Sequence, residues 1–124
     1  MIKAMALIKR KSGLSREEFV KHYEEVHALL ARKHLPTLRV YRRNHVLTPN
    51  LNSLNTSVAC SELDFDCITE WTFDDMEGYQ AFIDFLAAES SGEGDEAGKE
   101  ICADENFLID RSQTIFFLVD EKVS

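Results

Sequence analysis

His22, His27 and His34 lie in one apolar-rich stretch, FVKHYEEVHALLARKHLP, residues 19–36, and an imidazole exchanges protons near neutral pH. His27 is the one that helical spacing turns inward, because Phe19, Tyr23, Val26, His27 and Leu30 recur at steps of four, three, one and three. An inward imidazole beside a phenol has two readings. It is either a proton-transfer group in a cavity or a core histidine satisfied by Tyr23 or a backbone carbonyl, and spacing alone leans to the second. His22, about 100° around the helix from Tyr23, is expected at the surface or an edge. His34 falls at the frayed helix end, and its role stays open.

Other chemistry-bearing residues follow from strand alternation. Over Leu38 to Val46, Arg39, Tyr41, Arg43 and His45 share one face, so Tyr41 and His45 are expected to look into the same space as His27. Over Asp66 to Phe73, Cys67, Thr69, Trp71 and Phe73 share a face. Trp71 is then either the flat wall of an aromatic pocket or simple core filling. Met76, Tyr79, Phe82, Ile83 and Leu86 form a helical stripe read as core.

Metal and nucleotide chemistry find little support. Glu24-x-x-His27 is half of the ligand pair used in carboxylate-bridged di-iron bundles, and the other half is missing. Gly92-Glu-Gly94 lacks the Lys-Ser of a phosphate loop, and no Gly-x-Ser-x-Gly elbow occurs. Cys60, Cys67 and Cys102 are odd in number and lack CxxC spacing, which points away from disulfides and zinc and toward a reducing cytoplasm. No cofactor and no metal are therefore expected.

The elements that must position these groups are legible in outline. Ile2 to Arg10 reads as a strand broken by Ser12-Gly13, and Ser15 with Glu18 forms a capping box that starts a helix running to Leu35-Pro36. Leu38 to Val46 is a second strand, 47–65 a long loop and candidate lid, and Asp66 to Phe73 a third strand. Asp74 with Glu77 repeats the capping pattern ahead of the second helix. Glu89 to Gly98 reads as a solvated excursion, 99–109 as a short helical turn, and Thr114 to Asp120 as a last strand, apolar on both faces and so expected to be central or covered on both sides.

This order is two βαβ units in one domain, residues 1–124, and predicts a ferredoxin-like βαββαβ α+β sandwich with both helices on one face of an antiparallel sheet. The opposite face is then too apolar for a monomer, so a homodimer closing two sheets into a barrel is expected. A net charge of −8 argues against nucleic acid as a partner, and no apolar run approaches the ~20 residues needed to span a bilayer. The N-terminus lacks the order of a secretory signal. A soluble cytoplasmic protein is expected.

The run IKRKSGLSREEFVKHYEEVHALLARKHLPTLRVYRRNHV resembles the opening of the EthD domain. DFDCITEWTFDD and ADENFLIDRSQTIFFLVDE resemble its later strand and its closing segment. The central loop and 89–98 look like insertions in that pattern. The resemblance implies a dimeric α+β barrel with a pocket between sheet and helices, and relatives that include cofactor-free polyketide cyclases, dehydratases and decarboxylases. It carries the family histidine onto His27 and favours a functional role there. It also brings Tyr41 and Asp104 into matched segments, Asp104 as the residue that orients a histidine or a substrate hydroxyl.

Together these readings predict a cofactor-independent lyase or cyclase that dehydrates or decarboxylates an aromatic, polyketide-like β-keto substrate of secondary metabolism. His27 would be the base, Tyr41 and His45 would polarise the carbonyl or leaving group, and Tyr23, Trp71 and Phe82 would bind the small aromatic substrate. The alternatives are a cofactor-free monooxygenase of anthrone-like substrates and a small-molecule binding or stress-associated protein without turnover.

Overall fold

The computed structural model describes residues 1–35, 37–47, 65–91 and 95–124, with the side chains of 89–91 left aside. The expected loop and lid therefore lie almost wholly outside the described residues. Four strands, β1 (Ile2–Ile8), β2 (Val40–His45), β3 (Cys67–Phe73) and β4 (Ile115–Val119), form one antiparallel sheet in the order β2-β3-β1-β4. This is the ferredoxin-like α+β arrangement that two βαβ units predict.

The first helical stretch is three segments rather than one helix. These are α1 (Arg16–His22), a π-helical segment (Tyr23–His27) and α2 (Ala28–His34). The capping box at its start is formed, with Ser15 Oγ accepting from the Glu18 amide at 3.1 Å and Glu18 Oε1 accepting from the Ser15 amide at 3.2 Å. The π segment, closed by the Ala28 amide donating to the Tyr23 carbonyl, inserts one residue into the turn and changes the inward face. His27 then falls below Tyr23 and Phe19, and Ala28 and Ala31 follow it into the core. Val26, expected inward from an ideal period, is 38% exposed.

Three further expectations change. The second helix, α3 (Met76–Ser91), is capped by Asp75 rather than Asp74, through the Gly78 amide at 2.9 Å, and Met76 in its first turn is 53% exposed rather than part of the apolar stripe. The short turn expected over 99–109 is a 13-residue helix, α4 (Glu96–Leu108), capped by Asp95 Oδ1 accepting from the Gly98 amide at 3.0 Å. It forms because Ile101 and Leu108 bury one face in the core, which outweighs the poor helix propensity of a glycine near its start. Among the described residues β4 pairs with β1 alone, at the edge of the sheet rather than in its centre.

The sheet's two faces differ sharply. Toward the helices, Ala4, Ala6 and Ile8 lie opposite Trp71, Thr69 and Cys67 and join Phe19, Tyr23, Phe73 and Phe82 in the core. The other face carries Met5, Leu7, Ile68, Ile115 and Phe117 around a polar island in which Lys3 Nζ pairs with Glu70 at 2.8 Å and with Glu121. Ile115 is 50% and Phe117 36% exposed there. No helix among the described residues is long and apolar enough to cross a membrane.

Candidate functional site

A cavity of about 190 Å³ opens between the sheet and the helices. Tyr23 and His27 reach it from the π segment, Tyr41 from β2, Trp71 from β3 and Phe82 from α3, while Ile101 and Glu105 come from α4. Arg111 and Thr114 complete one end beside Phe116 of β4. Five of the residues expected at the site thus meet in one space. The Trp71 ring lies nearly parallel to Tyr41, at 14° with centroids 6.1 Å apart, and contacts Phe82 and Phe116. A flat aromatic wall results.

His27 is 6% exposed, and its Nδ1 lies 2.9 Å from Asp104 Oδ2. An ionised carboxylate has no proton to give, so Nδ1–H is the donor. The neutral ring then carries its lone pair on Nε2, the nitrogen not engaged by Asp104. The other oxygen of Asp104 accepts from His22 Nε2 at 2.6 Å, so His22, expected at the surface or an edge, is partly exposed and hydrogen-bonded. Asp104 itself stands behind the imidazole and does not line the cavity. His34 pairs with Glu100 at 3.1 Å, so three of the four histidines tie the first helical stretch to α4.

The phenols are committed inward. Tyr41 Oη donates to Tyr23 Oη at 3.2 Å, and Tyr23 Oη lies 2.8 Å from Thr69 Oγ1. Either hydroxyl of the Tyr23–Thr69 pair can be the donor. Burial raises both phenols above their ordinary pKa. Cys67, behind Thr69, is pushed up to about 11 by burial and is no nucleophile at neutral pH.

His45 does not reach the cavity. It shares the inward face of β2, but its ring packs against Tyr23 and Phe19, and Nε2 donates to Glu24 Oε2 at 2.8 Å. The Tyr23 ring fills the space that alternation alone left open between His45 and His27. Nδ1 of His45 is buried with no hydrogen-bond partner among the described residues. Glu24, the residue that suggested half of a metal pair, instead accepts a two-pronged contact from Arg43 at 2.8 and 2.9 Å. Among the described residues, no group of three or more His, Cys, Asp or Glu gathers as a metal site requires.

The Arg43 hydrogen bonds, aided by His45 and opposed by burial, hold the Glu24 carboxyl down to about 2. A carboxyl depressed on folding stabilises the fold above its unfolded value near 4.5 and loses that contribution as pH falls toward 2. Urea midpoints taken across that window should fall more steeply for the wild type than for Glu24→Gln.

Residue spacing missed Glu105, Arg111 and Thr114. The step from Ile101 to Glu105 to Leu108, four then three, already puts Glu105 on the apolar side of a helix, a signal available once 96–108 is read as helical.

The EthD domain matches residues 11–112, and the chain belongs to that family. Its fold is similar to the crystal structure of an ethyl tert-butyl ether D (EthD) family protein from Bacillus halodurans, at 23% identity and a TM-score of 0.64, covering 98% of this chain and 99% of that one. A protein from Arabidopsis thaliana is similar at 14% identity and a TM-score of 0.61, covering 100% and 98%. One from Agrobacterium tumefaciens is similar at 14% and 0.57, covering 98% and 94%. No curated protein matches the sequence.

Proposed function

We propose that the chain is a cofactor-independent lyase acting on an enolisable aromatic ketone. The observation that carries this reading is His27, with Nδ1 fixed by Asp104 and its unprotonated nitrogen left for an otherwise largely apolar cavity. A proton next to a carbonyl leaves to His27 Nε2, and its electron pair enters the enolate. If the β-carbon carries a hydroxyl, collapse of the enolate expels it, and the imidazolium returns the proton to the departing oxygen as water. If the substrate is a β-keto acid, His27 Nε2 takes the carboxyl proton, loss of carbon dioxide from the carboxylate leaves the enolate, and the imidazolium protonates its carbon. Both routes return His27 to its starting state. General acid–base catalysis of this kind supplies about 10²–10⁴-fold.

The cavity is smaller than the roughly 300–1,000 Å³ of drug-sized pockets, so a substrate of one or two rings suits it better than a fused polycycle. Trp71 and Phe82 would hold the ring. Incubating metal-stripped protein with one- and two-ring aryl β-keto acids and β-hydroxyketones, followed by product mass, tests the reading. Loss of water or carbon dioxide supports it. Gain of oxygen would replace it with a cofactor-free monooxygenase, and binding without turnover would replace it with a small-molecule binding protein.

The functional unit we propose is a homodimer. The outer face of the sheet, with Met5, Leu7, Ile68, Ile115 and Phe117 around the Lys3–Glu70 pair, has the apolar character of a surface that a second copy covers. Phe117→Glu should convert a species of twice the 14.2 kDa chain mass to a monomer in size exclusion with light scattering. A wild type that is already monomeric would contradict the assignment.

A further inference from the structure

Asp104 and Glu105 are neighbours on α4 with opposite surroundings. Asp104 is taken up by His22 and His27. Glu105 lines the cavity, and among the described residues no hydrogen bond or ion pair reaches its carboxyl. The charged groups near it are His27 from the π segment, Arg111 from the turn after α4, and Asp104 on its own helix. Tyr23 and Tyr41 face the same cavity, the Tyr41 hydroxyl proton directed to Tyr23 and the Tyr23 hydroxyl hydrogen-bonded to Thr69. Arg111 is an exposed side chain at the cavity's end, with Nη1 3.7 Å from Cys102 Sγ. A ligand oxygen inside the cavity therefore meets a proton acceptor in His27, phenols already hydrogen-bonded to each other and to Thr69, Arg111 at the exposed end, and one carboxyl with no hydrogen-bond partner among the described residues.

We propose that Glu105 is the proton-bearing partner of His27, its carboxylic acid donating a hydrogen bond to the substrate oxygen that becomes an enolate as His27 takes the neighbouring proton. This deepens the lyase reading and rests on it for the role of His27. The role that strand alternation gave to Tyr41 passes to Glu105. No proton need leave Glu105: its O–H shortens toward an oxygen that gains charge, and the proton in transit is the one on His27. Burial holds the Glu105 carboxyl above the ordinary carboxylate range, against the pull of His27 and Arg111. A carboxylic acid kept neutral by an apolar site is a known donor to enolate oxygens. The ligand class follows from the pair: a one- or two-ring phenol or enolisable aryl ketone, its oxygen at the α4 wall and its ring on Trp71.

Phenols test this without turnover, because a phenol oxygen occupies the place of the enolate oxygen. Calorimetry with substituted phenols and naphthols on the full chain should give an affinity about tenfold weaker in Glu105→Ala than in the wild type, the size of one lost hydrogen bond. Naphthalene, which has no oxygen, should bind both alike. Glu105→Gln keeps the volume and a donor and should stay within about threefold. Wild-type phenol affinity should fall as rising pH ionises Glu105, below the range where the ligand itself titrates, while Glu105→Gln should be flat there. That comparison stands even if Glu105→Ala fails to fold. Equal phenol affinity in wild type and Glu105→Ala, an equal loss for naphthalene, an unchanged pH dependence in Glu105→Gln, or no phenol binding by the wild type would each overturn the proposal. The two readings separate cleanly: Glu105-dependent phenol binding without turnover overturns the lyase alone, and His27-dependent turnover indifferent to Glu105 overturns only the donor.

Discussion

Replacing His27 with alanine should lower kcat/KM on an aryl β-keto or β-hydroxyketone substrate by about 10²–10⁴-fold, the worth of a positioned general base, while a bound aromatic ligand stays bound. The expectation rests on a division of labour around one ring. Asp104 holds Nδ1, the cavity receives the other nitrogen, and Trp71, Phe82 and Phe116 supply the apolar contact that binds a ring whether or not the base is present. Stability should fall by only ~1–2 kcal/mol, since the lost hydrogen bond leaves Asp104 its second partner, His22, and a side chain still partly reached by water. Activity on a substrate panel, tryptophan fluorescence of ligand binding and a thermal melt together check it. A structural histidine would give the reverse, with a large loss of stability and no change in chemistry.

Asp104→Ala should come next in size, with a loss on the order of 10²-fold. One carboxylate accepts from two imidazoles, His22 at 2.6 Å and His27 at 2.9 Å, so its removal frees the His27 ring to rotate and to take the other tautomer, in which Nε2 carries the proton and cannot act as a base. In hydrolase triads the acid behind the histidine has this same orienting role, and loss of the correct tautomer costs about 10⁴-fold. A smaller figure is expected here, because the π segment and the Tyr23 ring, edge-on to His27 at 5.5 Å, also restrain the imidazole. The loss should fall on kcat rather than KM, because Asp104 stands outside the cavity and touches no ligand. His22→Ala, which removes the other partner of the same carboxylate, should cost far less and serves as the control.

β2 and β3 were readable from β-branched and aromatic residues at alternating positions, and the capping box at Ser15 marked the first helix to the residue. The site was readable where it rested on that alternation: Tyr41 and Trp71 are two partners in register across β2 and β3. It failed at His45 because alternation gives the face of a strand but not what a neighbouring helix has already placed over it. The inward set on the first helical stretch shifted for a different reason. A π turn has no residue-type signature, so an ideal period turned Val26 inward where the structure buries Ala28 and Ala31. α4 was obscured by its composition, a glycine and several acids surrounding only two buried aliphatics, and Glu105 disappeared with it. The edge position of β4 was hidden too, since its residues are apolar on both faces, like those of a strand inside a sheet, although Ile115 to Leu118 stay 36–50% exposed.

Exchange of the proton next to the carbonyl isolates the first step from everything that follows it. In deuterium oxide, proton NMR of a one-ring aryl ketone with the metal-stripped protein should show loss of the α-proton signal well above the buffer rate, in wild type but not in His27→Ala. Exchange that is absent, or that persists undiminished in His27→Ala, would contradict the assignment of His27 as the base.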